Sequence, residues 1–403
     1  MAGSALAPHG GASRTSDLLV PFPMTVTRRS AVFAGVTAAC FGPWVWSRSA
    51  AANSWLIGQS APQTGPISVS SIETTAGARM YFNRLNARGG VHGRPVELVS
   101  IDDAQDPKRA VANTQQLLDQ GVIALGLYRT TPAIEATLPL VRKAGIAFVG
   151  AQTGPSFIYE ANGNLLFNTR ASYHDEVARA VDYFSNLGMT RVGALVATDS
   201  FGQDVLVGLR RAMAANGKAE LVSQASFDNR GSDVAAQVEQ IRKGNPQVVI
   251  LIANLKASAA FIKHARANGF TPTFVSLSVT STSSFSTELG AYAEGVVVTQ
   301  VVPTPYSRRL RLVAEFRDAV TQSGDAAAPV SHAALQGYVS AKLIHEGIRR
   351  CGPNADRAQL VQALNSTGRF DLGDYTLNYS PESRQGTRLT ELTFLSKSGK
   401  FMF

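Results

Sequence analysis

The chain has 403 residues, of which 45% are hydrophobic and 17% charged, and carries a formal net charge of +9. That length exceeds one ordinary domain and suits two, and the composition is that of a soluble globular protein with a sizeable core. The positive balance does not mark a nucleic-acid binder, because the basic residues are scattered over helix faces and aromatic residues do not interleave with them.

Residues 1–52 read as an N-terminal extension and signal peptide, not as part of the fold. Met1 to Pro23 is rich in Gly, Ala, Ser and Pro without periodicity, and reads as an extension upstream of a second start at Met24. Arg28-Arg29 supplies a positive n-region, Ala31 to Trp46 an apolar h-region, and Ala50-Ala51-Ala52 a small-residue cleavage site. The paired arginines point to the twin-arginine export route. Ala31, where that motif usually carries Phe, leaves the general secretory route equally open. The apolar run is interrupted by Gly42-Pro43 and is shorter than the roughly twenty residues a spanning helix needs. The stretch before Cys40 lacks the leucine of a lipoprotein box, so no lipid anchor is expected. Export leaves one cysteine, Cys351, and therefore no internal disulfide.

The mature chain alternates strands and helices twice. Trp55 to Gly58 opens the first series, followed by the loop Gln59 to Ser71 and a helix from Glu73 to Asn86. Gly89-Gly90 suits the left-handed end of that helix. Val96 to Ile101 is a strand, and Asp102, Asp103 and Asp106 bound a polar loop. Pro107 then opens a helix that buries Ala110, Val111, Leu117 and Leu118. Val122 to Leu127 is a continuous apolar run, as a parallel strand covered on both faces requires. This is a βαβ unit, and Ile146 to Val149 adds another strand. The second series runs through strand Arg191 to Val196, helix Gln203 to Asn216, strand Ala219 to Phe227, helix Val234 to Lys243, strand Val248 to Ile252, helix Ser258 to Asn268 and strand Thr273 to Leu277. Two such series mean two sheets. Helices Ala333 to Arg350 and Ala358 to Asn365 and a last strand, Thr390 to Leu395, complete the chain.

Open parallel sheets bind ligands beyond the carboxyl ends of their strands. Three loops there are rich in hydroxyls and free amides: Ser60 to Pro66, which includes Gln63; Tyr128-Arg129-Thr130-Thr131-Pro132; and Gly150-Ala151-Gln152-Thr153-Gly154-Pro155. Thr130 or Thr131 before Pro132 reads as a helix N-cap, which presents N–H groups and the positive end of the helix dipole to an anion. Arg129 pairs bidentately with a carboxylate if it points into the cleft, and is otherwise a surface residue.

The run NRLNARGGVHGRP from Asn83, with DDAQDP from Asp102 and the following helix, closely resembles the first lobe of the leucine/isoleucine/valine-binding proteins. These are the type I periplasmic substrate-binding proteins of ABC importers. The resemblance covers about residues 55–403. It implies two doubly wound parallel-sheet α/β lobes joined by a three-strand hinge, with lobe 1 at 53–170 plus 302–387 and lobe 2 at 171–301 plus 388–403. It implies no catalysis. By the same resemblance Thr130-Thr131 stands at the family's paired serines that hold the ligand carboxylate. Ala151 and Thr153 match its Ala-x-Thr, and Ser70 falls where an aromatic often lines the cleft. Phe201 replaces a usual tyrosine. Tyr173, Phe201, Asn254 and Ser278 are expected to close the site from lobe 2.

Ser278 stands where an acidic residue would balance an amino acid's ammonium, and a buried ammonium without a counter-charge costs several kcal/mol. The expected ligand is therefore a small carboxylate: an aromatic or aliphatic acid or an amide, with amino acids admitted if an acidic group enters from elsewhere, Asp199 being the nearest candidate. The six histidines show no metal-ligand spacing, and no Cys-x-x-Cys, phosphate loop or Gly-x-Ser-x-Gly elbow is present. His174-Asp175-Glu176 reads as the first turn of a helix. The expectation is a periplasmic, monomeric solute-binding protein without cofactor that delivers its ligand to inner-membrane ABC permease subunits. A ligand-binding module feeding a sensor or receptor is the alternative.

Overall fold

The computed structural model describes residues 54–160, 164–231 and 233–403. The proposed export segment lies outside the described residues. In chain order, the first part holds β1 (Trp55–Ala61), α1 (Ser68–Asn86), β2 (Val96–Asp102), α2 (Pro107–Asp119), β3 (Ala124–Gly126), α3 (Thr131–Ala144), β4 (Ala147–Val149) and β5 (Leu166–Phe167). The second holds α4 (Tyr173–Asn186), β6 (Arg191–Ala197), α5 (Ser200–Asn216), β7 (Glu220–Phe227), α6 (Ala235–Arg242), β8 (Val248–Ile252), α7 (Leu255–Ala267), β9 (Thr273–Ser276), α8 (Phe285–Leu289) and β10 (Val297–Gln300). Then follow α9 (Arg311–Gln322), α10 (His332–Cys351), α11 (Arg357–Thr367), β11 (Arg369–Asp371), β12 (Thr376–Asn378), β13 (Glu391–Leu395) and β14 (Phe401–Met402).

The strands sort into two main sheets and so into two α/β lobes. One sheet has the order β2-β1-β3-β4-β5, all parallel. The other has the order β14-β13-β10-β9-β8-β6-β7, parallel from β10 to β7 and antiparallel at β13 and β14. The apolar run of β8 is buried along its whole length because it lies between β6 and β9 with helices on both faces. A short β11–β12 hairpin stands apart.

Two cores follow. That of lobe 2 gathers side chains from α4 through β10 and from Leu395. The main core of lobe 1 joins Ile57, Ala78 and Phe82 to residues much later in the chain, among them Phe316, Tyr338 and Leu360. The tightest contact there is α1 against α10. A Cβ on Gly77 would lie 1.8 Å from the Ala334 carbonyl oxygen, and one on Gly337 would lie 1.9 Å from that of Thr74. Only hydrogen at both positions lets the two backbones come this close, so the pair fixes where α1 stands.

Helix α1 begins five residues before the sequence-based start, because its first turn, Ser68-Val-Ser-Ser71, carries little of the apolar stripe that marks the rest. Helices α8 and α9 and strands β5, β10, β11, β12 and β14 are additions to the elements expected from sequence. Of these, α9 buries Leu312, Val313, Phe316 and Ala319, an ordinary helical spacing.

His332, the first residue of α10, is fully buried against the rings of Tyr306, Phe401 and Phe403, and neither ring nitrogen has a hydrogen-bond partner among the described residues. Burial drives its pKa from 6.5 to about 3. The unfolded chain therefore binds the proton first. Stability is intact above pH about 6.5 and falls as pH drops toward 3. Urea midpoints measured at pH 7 and 4.5 should differ by less in His332→Phe than in the parent, the difference being worth roughly a few kcal/mol.

Candidate functional site

The parallel strands of both lobes send their carboxyl ends toward one cleft of about 530 Å3 including its open mouth, and the loops or helix starts that follow β1, β3, β4, β5, β6, β7, β8 and β9 line it. From lobe 1 its walls are Pro66, Ile67, Val69 and Ser70 at the start of α1, then Arg129, Thr130, Thr131 and Pro132 at the start of α3, and Thr153. From lobe 2 they are Tyr173, Asp199 and Phe201, then Asn229, then Ala253, Asn254 and Leu255, and finally Val279.

Local sequence sets each of these ends. Thr130 is the N-cap of α3, its hydroxyl oxygen accepting the Ala133 N–H at 3.3 Å. Asp199 caps α5 through Gly202 N–H and Asn254 caps α7 through Ala257 N–H. Helix α1 starts after Ile67 with no side-chain cap. Ser172 and Asp175 form a reciprocal capping box at α4, so the His174-Asp175-Glu176 cluster is a first helical turn.

A chain of hydroxyls crosses the floor of the cleft. Thr131 Oγ1 lies 2.7 Å from Thr153 Oγ1, which lies 2.8 Å from the Tyr173 hydroxyl. The Tyr173 ring meets Phe201 edge to face at 5.0 Å, giving lobe 2 an aromatic wall.

Arg129 is 9% exposed and points into the cleft. Its guanidinium donates to the Gln152 carbonyl in its own lobe and, at 2.9 Å, to the Val279 carbonyl in the other. Both partners are neutral dipoles. Among the described residues no carboxylate forms an ion pair with Arg129. Burial lowers its pKa to about 10, still far above neutrality, so the site holds a desolvated positive charge that no carboxylate touches; Glu176, already paired with Arg170, acts on it only from a distance.

Arg170 is the instructive contrast. It is more deeply buried, but it pairs with Glu176, and the burial that would lower its pKa is outweighed by that carboxylate together with the neighbouring Tyr173 and Tyr159, so its pKa is raised. Glu176 also accepts from the Thr299 hydroxyl and from Ser278, whose N–H and Oγ each lie 2.9 Å away.

Eight of the residues expected from sequence line the cleft together: Ser70, Arg129, Thr130, Thr131, Thr153, Tyr173, Phe201 and Asn254. Five do not. Gln63 lies along β2, its N–H donating to Asp102 and its amide to Ser100. Tyr128 turns its ring into the lobe 1 core, its hydroxyl 2.9 Å from Thr114 Oγ1. Ala151 is buried in the same cluster. Gln152 sits behind Arg129 and supplies the carbonyl that aims it. Ser278 is buried behind Val279 and committed to Glu176 and Arg170. The apolar walls Ile67, Val69, Leu255 and Val279, and Asn229, were not expected. Position could have found them, since each lies in a loop or first helical turn that follows a strand.

No group of three metal-ligating side chains is assembled among the described residues. The model of the periplasmic binding protein family matches residues 54–399. An amino acid binding protein of Pseudomonas aeruginosa is 27% identical over 250 residues, which are 60% of this chain and 66% of that relative. Among solved structures, a substrate-binding periplasmic protein from Ralstonia solanacearum superposes with a TM-score of 0.82 at 28% identity, covering 86% of this chain and 99% of that one. A possible leucine/isoleucine/valine-binding protein from Rhodopirellula baltica superposes with a TM-score of 0.81 at 26% identity, over 88% and 97% of the two chains.

The Arg170–Glu176 pair gives a direct stability test of this geometry. Glu176→Gln strands a buried guanidinium and should cost about 3–5 kcal/mol in denaturant unfolding, whereas Ser278→Ala should cost only about 1–2 kcal/mol.

Proposed function

The chain belongs to the periplasmic binding protein family, and from that premise we propose that it captures a small carboxylate-bearing ligand between its lobes for delivery to an ABC importer. It is a binding protein, not an enzyme, of the branch that includes the leucine/isoleucine/valine-binding proteins. The observation that carries the ligand class is Arg129. A buried guanidinium that has only neutral partners is stabilised by an anion, and a carboxylate matches its planar donors. The uncapped start of α1 and the N-terminus of α3 add their dipoles on the same side.

The rest of the cleft favours an apolar body. Ile67, Val69, Leu255, Val279 and the Tyr173–Phe201 pair line its middle. At the far side Asp199 is the one carboxylate on the cleft wall among the described residues. Its Oδ2 accepts from Asn229 and its Oδ1 from Gly202 N–H, which leaves lone pairs for a ligand donor. An amino acid is therefore the second reading, with Asp199 facing the ammonium. The chain passes between the sheets after β5, after β10 and before β13, and these three segments are the proposed hinge about which the lobes close.

A thermal-shift screen of aromatic acids, aliphatic acids and α-amino acids tests this. A specific carboxylate at a hundredfold excess over its Kd should add about 2.7 kcal/mol of apparent stability. Arg129→Ala and Thr153→Val should each remove the shift. Stabilisation by neutral compounds alone would contradict the assignment, and stabilisation by α-amino acids alone would select the second reading.

A further inference from the structure

Away from the ligand walls, the lobes are joined by two contacts built to the same plan in opposite directions. In each, one lobe supplies a largely buried carboxylate and the other a serine that gives it both its backbone N–H and its hydroxyl. Glu73, on α1 in lobe 1, is 5% exposed and takes both groups of Ser283, which follows β9 in lobe 2, the N–H at 3.1 Å. Its other oxygen accepts the hydroxyl of Ser331, the N-cap of α10, at 2.6 Å. Beside it the Ala333 N–H donates to the Ser281 carbonyl at 3.2 Å, again from lobe 1 to lobe 2.

Asp204, on α5 in lobe 2, takes the N–H of Ser156 at 3.0 Å and its hydroxyl, both on Oδ1. Ser156 follows the Gly150–Pro155 loop of lobe 1, two residues beyond Gly154, whose carbonyl accepts the Tyr173 N–H. The other Asp204 oxygen has the His174 ring at 3.5 Å. Glu73 forms no ion pair with a basic residue among the described residues. Its partners are serine groups alone, and part of what it holds belongs to the opposite lobe.

We propose that Glu73 and Asp204 are positioning residues that clasp the two lobes across the cleft and populate the closed form before ligand arrives. Both clasps attach to cleft walls: Glu73 lies one turn after Ser70, and Asp204 three residues after Phe201. Breaking a clasp therefore releases the walls without touching the ligand's own contacts. Apparent affinity scales with the fraction of molecules in the competent form, so the clasps set affinity by way of that fraction. A hydrogen bond to a charged carboxylate is worth about tenfold or more in such an equilibrium.

The test uses protein stripped of ligand by unfolding and refolding, so it stands apart from the identity of the ligand. Spin labels at exposed positions, Glu135→Cys on α3 and Lys256→Cys on α7 in a Cys351→Ser background, report the lobe-to-lobe distance by double electron–electron resonance. The parent should show a short-distance population. Ser283→Ala and Ser156→Ala, which keep each backbone N–H and leave the carboxylates in place, should each move the closed-to-open ratio about tenfold toward long distances, and further when combined. Glu73→Gln and Asp204→Asn should act in the same direction. A ligand-free parent with no short-distance population, or serine variants that keep the parent's distribution, would overturn the proposal.

Discussion

Parallel strands send all their carboxyl ends one way, and two sheets of this kind set against each other decide most of what this chain can do. Each strand end must turn into a helix N-terminus, which presents unpaired N–H groups and a positive dipole end. Where lobe 1 meets lobe 2, the starts of α1, α3, α4, α5 and α7 converge on one cleft. The site is thus electropositive before any side chain is chosen. The side chains then divide it. Lobe 2 caps two of its helices with Asp199 and Asn254, while lobe 1 leaves α1 uncapped and adds Arg129. The charge asymmetry of the cleft rests on its two charged wall residues, Arg129 in lobe 1 and Asp199 in lobe 2.

The two buried arginines make the electrostatic point. Both lie near Tyr173 and both are desolvated, yet only Arg170 has a carboxylate beside it. Its partner Glu176 collects Ser278 and Thr299 as well, so that ion pair is a closed structural unit with little left to offer a ligand. Arg129 instead reaches from the Gln152 carbonyl to the Val279 carbonyl, across the gap between the lobes. One guanidinium thereby senses both lobes and still lacks its counter-ion. Capture of an anion and closure of the lobes are linked through that side chain.

The sequence made the scaffold legible, because continuous apolar runs such as Val248–Ile252 and N-cap patterns such as Thr130-Thr131-Pro132 are local signals. It also singled out Thr131, Thr153 and Tyr173, whose hydroxyls the structure places side by side. What it could not show was direction and distant company. Adjacent residues leaving a strand face opposite ways, so Tyr128 enters the core while Arg129 enters the cleft. Ser278 looked like a missing counter-charge, but a carboxylate 102 residues earlier, Glu176, already stands behind it. Short strands such as β5 carry too few residues for any period to register.

The central claim is that a carboxylate completes Arg129. Isothermal titration of the acid that stabilises the protein most, set against its own primary amide, tests it with shape held nearly constant. The account predicts measurable binding of the acid and a loss of at least about a hundredfold for the amide, the penalty of leaving a buried charge unpaired. Equal affinity for the two would contradict it.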